Sequence, residues 1–255
     1  TYIYIMQYRF LVVTLLSLLS VISSNASEPS RTKYNLNDDW RFYHASQLDI
    51  SDADYIALPH TWQNALGSYG SSSASANYIR TLNIPRDWMG KRLFLRFGGV
   101  QSVAGVFVNG SFAGAHKGGF TAFTIEISHL VRFGAENNIR VVVSNDVRSD
   151  VLPISSDMDL TAGIYRDVEL IVAPRNMISL EHLGTEGVFV VQESVEKERV
   201  SGYVRCYISA SSHAHLDLAV RVVGTDGYEI ETYTERINKL GDEGYIDIPF
   251  SVDDP

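Results

Sequence analysis

Three observations predict an all-β protein: short apolar alternations of period two, glycine-containing turn signals at short intervals, and plentiful Val, Ile, Thr, Tyr and Phe. The 255 residues suffice for one large or two medium domains with cores. The spacing divides them into a jelly-roll β-sandwich followed by an incomplete immunoglobulin-like β-sandwich. A net charge of −9 excludes the basic stripe that nucleic acid requires and favours a neutral or polar ligand.

Met6 is followed by Gln7-Tyr8-Arg9, the apolar run Phe10 to Ile22, and Ser23-Ser24-Asn25-Ala26. That order is the pattern of a signal peptide with cleavage after Ala26, so residues 1–26 are expected to lie outside the fold. Residues 1–5 read as an upstream extension of the reading frame. The apolar run is shorter than the ~20 residues of a membrane-spanning helix, which favours an exported product, periplasmic or secreted, over a single-span anchor. Cys206 is the one cysteine, excludes an internal disulfide, and shares a face with Val204 and Ile208 as a small buried hydrophobe.

The first domain is expected over 27–174, with 27–33 a polar linker. Strands are predicted at Trp40 to Tyr43, Tyr55 to Leu58, Tyr78 to Ile84, Arg92 to Phe97, Ala104 to Val108, Ser111 to His116, Phe123 to Ile127 and Asn137 to Ser144. Asn109-Gly110 is a hairpin signal, because a tight primed turn needs positive φ at both central residues. Ser128 to Val131 reads as one helical turn. Residues 67–76 are a Gly/Ser-rich loop in which Tyr69 is a candidate to stack on a sugar ring or a plain exposed tyrosine. The second domain, 175–255, carries strands at Ile178 to Leu183, Gly187 to Gln192, Gly202 to Ser209, Leu216 to Val223, Glu229 to Arg236 and Tyr245 to Phe250. An immunoglobulin-like sandwich has roughly seven strands in about 100 residues, so the last strand is expected to lie beyond Pro255.

Most catalytic patterns fail on inspection. No phosphate loop, nucleophile elbow or paired-cysteine zinc motif occurs. His213 and His215 share a strand face without an evident third ligand and read as a surface pair. One stretch stands out: Asp157-Met158-Asp159 sets two carboxylates two residues apart with no Lys or Arg between them. Gly163 then bends the chain into a strand alternating Val168, Leu170 and Val172. Solvated turn aspartates and a ligand-binding acidic rim both fit that pattern.

Asp157 to Val168 resembles the Gly-Ile-Tyr-Arg-Asp-Val segment that closes the sugar-binding domain of family 2 glycoside hydrolases. Upstream, in the family's order, come Leu58-Pro59-His60-Thr61-Trp62, Tyr78-Ile79-Arg80-Thr81-Leu82, Leu93-Phe94-Leu95-Arg96-Phe97-Gly98-Gly99-Val100 and Val106-Phe107-Val108-Asn109-Gly110. The resemblance implies a galactose-binding-like jelly roll that precedes a catalytic TIM barrel, the chain being truncated before it. Both catalytic glutamates of the family belong to that barrel, so no catalytic residue is assigned in this chain. Glu181, Glu186, Glu193, Glu196 and Glu198 read as solvated. The resemblance assigns Asp157, with Asp159 in reserve, to the hydroxyls of a terminal β-linked sugar, galactose first. It implies no cofactor beyond a monovalent cation shared with the barrel. His60 and Trp62 are expected in the packing beneath the sheet, and Arg166 is expected to brace the loop through Asp167 or Asp150. Asn64 and Asn77 are the nearest candidates for the family's substrate-contacting asparagine. The implied function is the N-terminal part of a secreted, β-galactosidase-like retaining hydrolase. The alternatives are a stand-alone carbohydrate-binding module and a β-glucuronidase or β-mannosidase fragment.

Overall fold

The computed structural model describes residues 2–4 by their backbone, and residues 31–46, 51, 53–62, 75–146, 148–152, 162–211, 216–237 and 244–253 in full. In chain order the strands are β1 (Tyr2–Tyr4), β2 (Thr32–Asn35), β3 (Trp40–His44), β4 (Asp54–Ile56), β5 (His60–Trp62), β6 (Ser75–Ile84), β7 (Arg92–Phe97), β8 (Val100–Gln101), β9 (Val103–Val108) and β10 (Ser111–Lys117). They continue with β11 (Phe123–Glu126), β12 (Ala135–Ser144), β13 (Ala162–Ile164), β14 (Val168–Ala173), β15 (Met177–Ile178), β16 (Val188–Val195), β17 (Arg199–Ser209), β18 (Leu216–Val223), β19 (Glu229–Ile237) and β20 (Tyr245–Asp253). The described residues are all-β apart from 3-10 geometry such as the short turn Arg86–Trp88. It divides into two compact units, Arg31–Arg175 with Leu180–Glu186, and the described remainder.

The first unit is a jelly-roll sandwich. A six-stranded sheet ordered β10-β9-β12-β6-β3-β4 and a four-stranded sheet ordered β11-β7-β14-β2 enclose one core. Alternation decides which side chains enter it. Trp40, Tyr78, Val106, Val108, Ile139 and Val141 come from the first sheet, and Leu93, Leu95, Phe97, Val168, Leu170 and Val172 from the second. The Asn109-Gly110 turn has φ of 52° and 84°, as a primed hairpin requires. Asn109 also donates to the Leu130 carbonyl and to Asn137 Oδ1, and its own Oδ1 accepts from the Asn138 N–H, so the hairpin is tied to the turn before β12.

Several expectations are corrected. Residues 32 and 33, expected as the end of the linker, belong to strand β2, antiparallel to β14; it lies at a sheet edge and is largely exposed, so it carries no apolar alternation. Ser128 to Val131 is a turn and not a helix, because its groups serve β7: Ser128 Oγ accepts from the Leu93 N–H at 2.8 Å and the Ile127 N–H donates to the Leu93 carbonyl at 2.8 Å. The strand expected over 178–183 is only Met177–Ile178, after which Leu180–Glu186 belongs to the first unit. That segment lies against the outer face of the four-stranded sheet. Glu181 pairs with Arg92, and Glu186 with Arg31, Lys33 and Arg96, so these two glutamates are ion-paired and not merely solvated. Phe94 and Ile171, directly opposed on that outer face, are fully buried, as is Leu180.

In the second unit β17 pairs with β16, β15 and β20, and β18 pairs with β19. Val204, Cys206 and Ile208 pack with Leu218, Val220, Ile237 and Ile248. Cys206 is the buried hydrophobe its neighbours predict, and burial pushes its thiol up to about 11. The backbone of Tyr2–Tyr4, expected outside the fold, runs parallel to β18 in the register Tyr2↔Ala219, on the side of β18 away from β19, where edge amides and carbonyls are open to pairing.

The buried state of Leu180 makes a test of its placement. Leu180→Ala is expected to lower unfolding free energy by about 2–5 kcal/mol, read by chemical denaturation. A loss within error of zero would put Leu180–Glu186 outside the sandwich.

Candidate functional site

The motifs singled out from the sequence are in contact. β13 forms a small sheet between β5 and β8, with Ala162↔Trp62, Gly163↔Thr61 and Ile164↔His60 on one side and Gly163↔Gln101 and Ile164↔Val100 on the other. Three residues of the Pro-His-Thr-Trp element and two that follow the Gly-Gly pair therefore clamp the strand that begins at Ala162. Asp157 and Asp159 lie among those residues, outside the described ones, as do Asn64, Tyr69, His213 and His215. β13 begins at Ala162, and both Ala162 and Gly163 are buried.

Gly163 is a glycine for two physical reasons. Its φ is 137°, and a Cβ there would stand 2.4 Å from the His60 carbonyl oxygen and 2.9 Å from the Tyr78 hydroxyl. It sits in the middle of a strand, and the bend expected at this glycine falls instead at Arg166. Gly98 and Gly99 serve the same junction. A Cβ on Gly98 would meet Arg166 Cβ at 2.9 Å, and one on Gly99 would meet the Tyr165 ring at 2.7 Å. Tyr165 in turn donates its hydroxyl proton to the Gly119 carbonyl at 2.5 Å. A Cβ on Gly119 would collide with the buried Gln101 side chain.

Beneath the small sheet lies an aromatic cluster of Trp40, Phe42, His60, Trp62 and Tyr78. The Phe42 and His60 rings are 4.7 Å apart, and Phe42 and Trp62 5.5 Å apart. His60 Nδ1 is 2.9 Å from the Tyr78 hydroxyl. Burial holds the His60 imidazole below its ordinary range, with Asp54 pulling the other way, and pushes the Tyr78 phenol up. His60 and Trp62 are packing residues, as expected. His116 is similarly lowered by burial, stacked at 4.3 Å on Phe123.

Just before residues 153–161 the chain carries an exposed charge cluster. Asp150 receives Arg148 at 2.8 Å and Lys117 at 2.6 Å, and the hydrogen bonds from these two cations hold its carboxyl far below the ordinary range. Asp150 is therefore not the partner of Arg166. Asp167 is not either, since it accepts from Asn37 Nδ2 at 2.8 Å. Arg166 braces the turn by other means, donating to the Gly98 carbonyl at 3.4 Å with its guanidinium 5.3 Å from the Tyr165 ring centre. Asn77 is buried in β6 between Tyr43 and Val142. Among the described residues no group of three or more His, Cys, Asp or Glu side chains is placed to hold a metal ion. The sequence reading did not foresee the role of Gly119 or of Tyr165; Gly118-Gly119 is the one signal that pointed there.

Gly163→Ala is expected to cost at least ~2 kcal/mol of stability, from strain at positive φ and collision with a backbone carbonyl that cannot give; denaturant titration of the chain checks it. The two histidines give a pH dependence. Their folded-state pKa lies below the ordinary 6.5, so the stability they contribute is complete above about pH 6.5 and is lost as pH falls through the folded value. The melting temperature is expected to fall between pH 7 and pH 5, and the fall to shrink in the His60→Gln, His116→Gln double variant. An equal fall in both proteins would refute the assignment.

Residues 68–174 match the family model described as the sugar-binding domain of family 2 glycosyl hydrolases. A β-glucuronidase of Bacteroides fragilis is 38% identical over 199 residues, covering 76% of this chain and 28% of the relative. A β-galactosidase of Thermoanaerobacter pseudethanolicus is 28% identical over 213 residues, covering 81% of this chain and 25% of the relative. Among solved structures, a putative β-galactosidase from Bacteroides fragilis superposes with a TM-score of 0.80 at 31% identity, over 89% of this chain and 36% of that one. The chain thus spans about a quarter of the length of these curated relatives. With the motif contacts described above, these matches identify residues 68–174 as a sugar-binding domain of glycoside hydrolase family 2.

Proposed function

We propose that this chain is the sugar-binding and scaffolding part of an exported family 2 glycoside hydrolase that removes terminal β-linked sugars with retention of configuration. The observation that supports the reading is the clamped strand β13, which begins three residues after Asp159 within the matched sugar-binding domain. Retaining hydrolysis needs two carboxylates about 5–5.5 Å apart, one as acid/base and one as nucleophile. In this reading both come from a catalytic domain outside the chain, and a monovalent cation is shared with that domain. Asp157 supplies recognition: an ionised carboxylate accepting two sugar hydroxyl protons makes stronger bonds than a neutral acceptor and fixes ring orientation. Asp159 is the second acceptor.

Export is supported by the order of charged, apolar and small residues from Met6 to Ala26. No helix among the described residues is long and apolar enough to cross a membrane. The second unit, with its antiparallel strands around one core, is proposed as an immunoglobulin-like spacer toward the catalytic domain. For the terminal sugar the reading is a β-galactoside. A β-glucuronide is the second reading, favoured by the 38% identity to a protein named β-glucuronidase.

The full-length enzyme carrying Asp157→Ala is expected to lose at least ~100-fold in kcat/KM with an unchanged melting temperature, the loss of a charge-assisted contact made in the transition state. Aryl β-galactoside, β-glucuronide and β-mannoside, assayed side by side, identify the sugar. Undiminished turnover in the variant would remove Asp157 from the site.

A further inference from the structure

The outer face of the six-stranded sheet carries a row of side chains that neither the core nor the β13 junction uses. Antiparallel register sets Tyr55 opposite Arg41, Arg41 opposite Ile79, Ile79 opposite Arg140, Arg140 opposite Phe107 and Phe107 opposite Phe112. Directly opposed residues project from the same face, so one line crosses all six strands. Five steps of strand spacing make that line ~24 Å long. Its two ends are open, Tyr55 being 82% and Phe112 60% exposed. The Arg41 guanidinium is 5.8 Å from the Tyr55 ring centre and that of Arg140 is 4.4 Å from Phe107, which meets Phe112 edge-on at 5.5 Å. Ile79, flanked by the two arginines, is buried.

The row is built differently from the corresponding cluster in the second unit. There Arg205 also lies over aromatic rings, but Asp247 neutralises it through two hydrogen bonds of 2.8 and 2.7 Å. Among the described residues Arg140 has no carboxylate partner, and its neighbour is an aromatic face. Beside the row, Gly105 presents no side chain next to Phe107, and on the other side Thr81 and Asn138, opposed in register, offer an exposed hydroxyl and an amide. Aromatic faces pack on the C–H face of a pyranose, hydroxyl and amide groups bond its hydroxyls, and the Arg140 guanidinium, with no carboxylate beside it among the described residues, is a local partner for a sugar carboxylate despite the net negative charge of the chain.

We propose that this Tyr55–Phe112 row is a second glycan-binding surface that holds an extended polysaccharide bearing carboxylate sugars. It uses none of residues 153–161 and does not rest on the assignment of the terminal sugar. The row would keep an exported protein on an acidic glycan while another site acts on chain ends.

Affinity electrophoresis of the 255-residue chain through gels containing polygalacturonate, neutral galactan or dextran sulfate tests the proposal. Retardation is expected to be strongest in polygalacturonate and to weaken with added salt. Arg140→Gln and Phe112→Ala are each expected to weaken it about tenfold, the loss of one good contact, with unchanged melting. In the full-length enzyme, Arg140→Gln is expected to leave aryl glycoside hydrolysis unaltered, which separates this surface from the Asp157 site. Absence of retardation, or equal retardation of both variants and parent, overturns the proposal. So does equal retardation in dextran sulfate that Phe112→Ala leaves untouched, which would be bare attraction to polyanions. Sedimentation showing a dimer abolished by Phe112→Ala, without glycan retardation, would assign the face to a second copy of the chain and likewise overturn it.

Discussion

The close approach of two glycine-bearing segments governs the candidate site. Phe97-Gly98-Gly99-Val100 and Gly163 to Asp167 are far apart in sequence, yet each is shaped to the other's surface. The Tyr165 ring and Arg166 stem occupy the space that side chains on Gly99 and Gly98 would take, and Gly163 brings its backbone against the His60 carbonyl. Interiors packed at crystal density offer no slack for a methyl group at such positions. Once the two segments meet, β13 is fixed between β5 and β8.

The two outer faces of the sandwich are handled in opposite ways. Leu180–Glu186 covers the four-stranded sheet with buried Leu180 and with ion pairs from Glu181 and Glu186, so Phe94 and Ile171 are removed from water on the side away from the core. Partly exposed pairs of this kind contribute little individually, and their value lies in orienting a segment whose apolar residue does the larger share of stabilising. The six-stranded sheet instead keeps arginines and aromatic rings in register on its outer side, a costly surface to leave open unless something binds it.

In the proposed function, holding a sugar is separated from cleaving it. The sandwich is rigid around Trp40, Tyr78 and Phe97, and its turns and loop ends carry the polar groups. The His60–Tyr78 contact, which resembles a catalytic pair on paper, is held in an aromatic cluster. Burial lowers the pKa of His60 there, against the pull of Asp54.

Period-two alternation made most strands legible: Arg92–Phe97 and Leu216–Val223 fall at the residues expected, because each strand buries one face and that face must be apolar. The order of the motifs was enough to indicate the family, and Asn109-Gly110 its hairpin. Strand β2 was invisible, since an exposed edge strand needs no apolar pattern. The true partner of Arg166 was invisible as well, because a backbone carbonyl leaves no trace in composition. The return of Leu180–Glu186 to the first unit, the Tyr165–Gly119 bond and the arginine–aromatic row depend on which residues the sheet register sets opposite one another. Local sequence determined the strands and their inward faces, whereas only tertiary pairing between residues distant in the chain, such as Arg140 with Phe107 and Ile171 with Phe94, decided what stands on the outward ones.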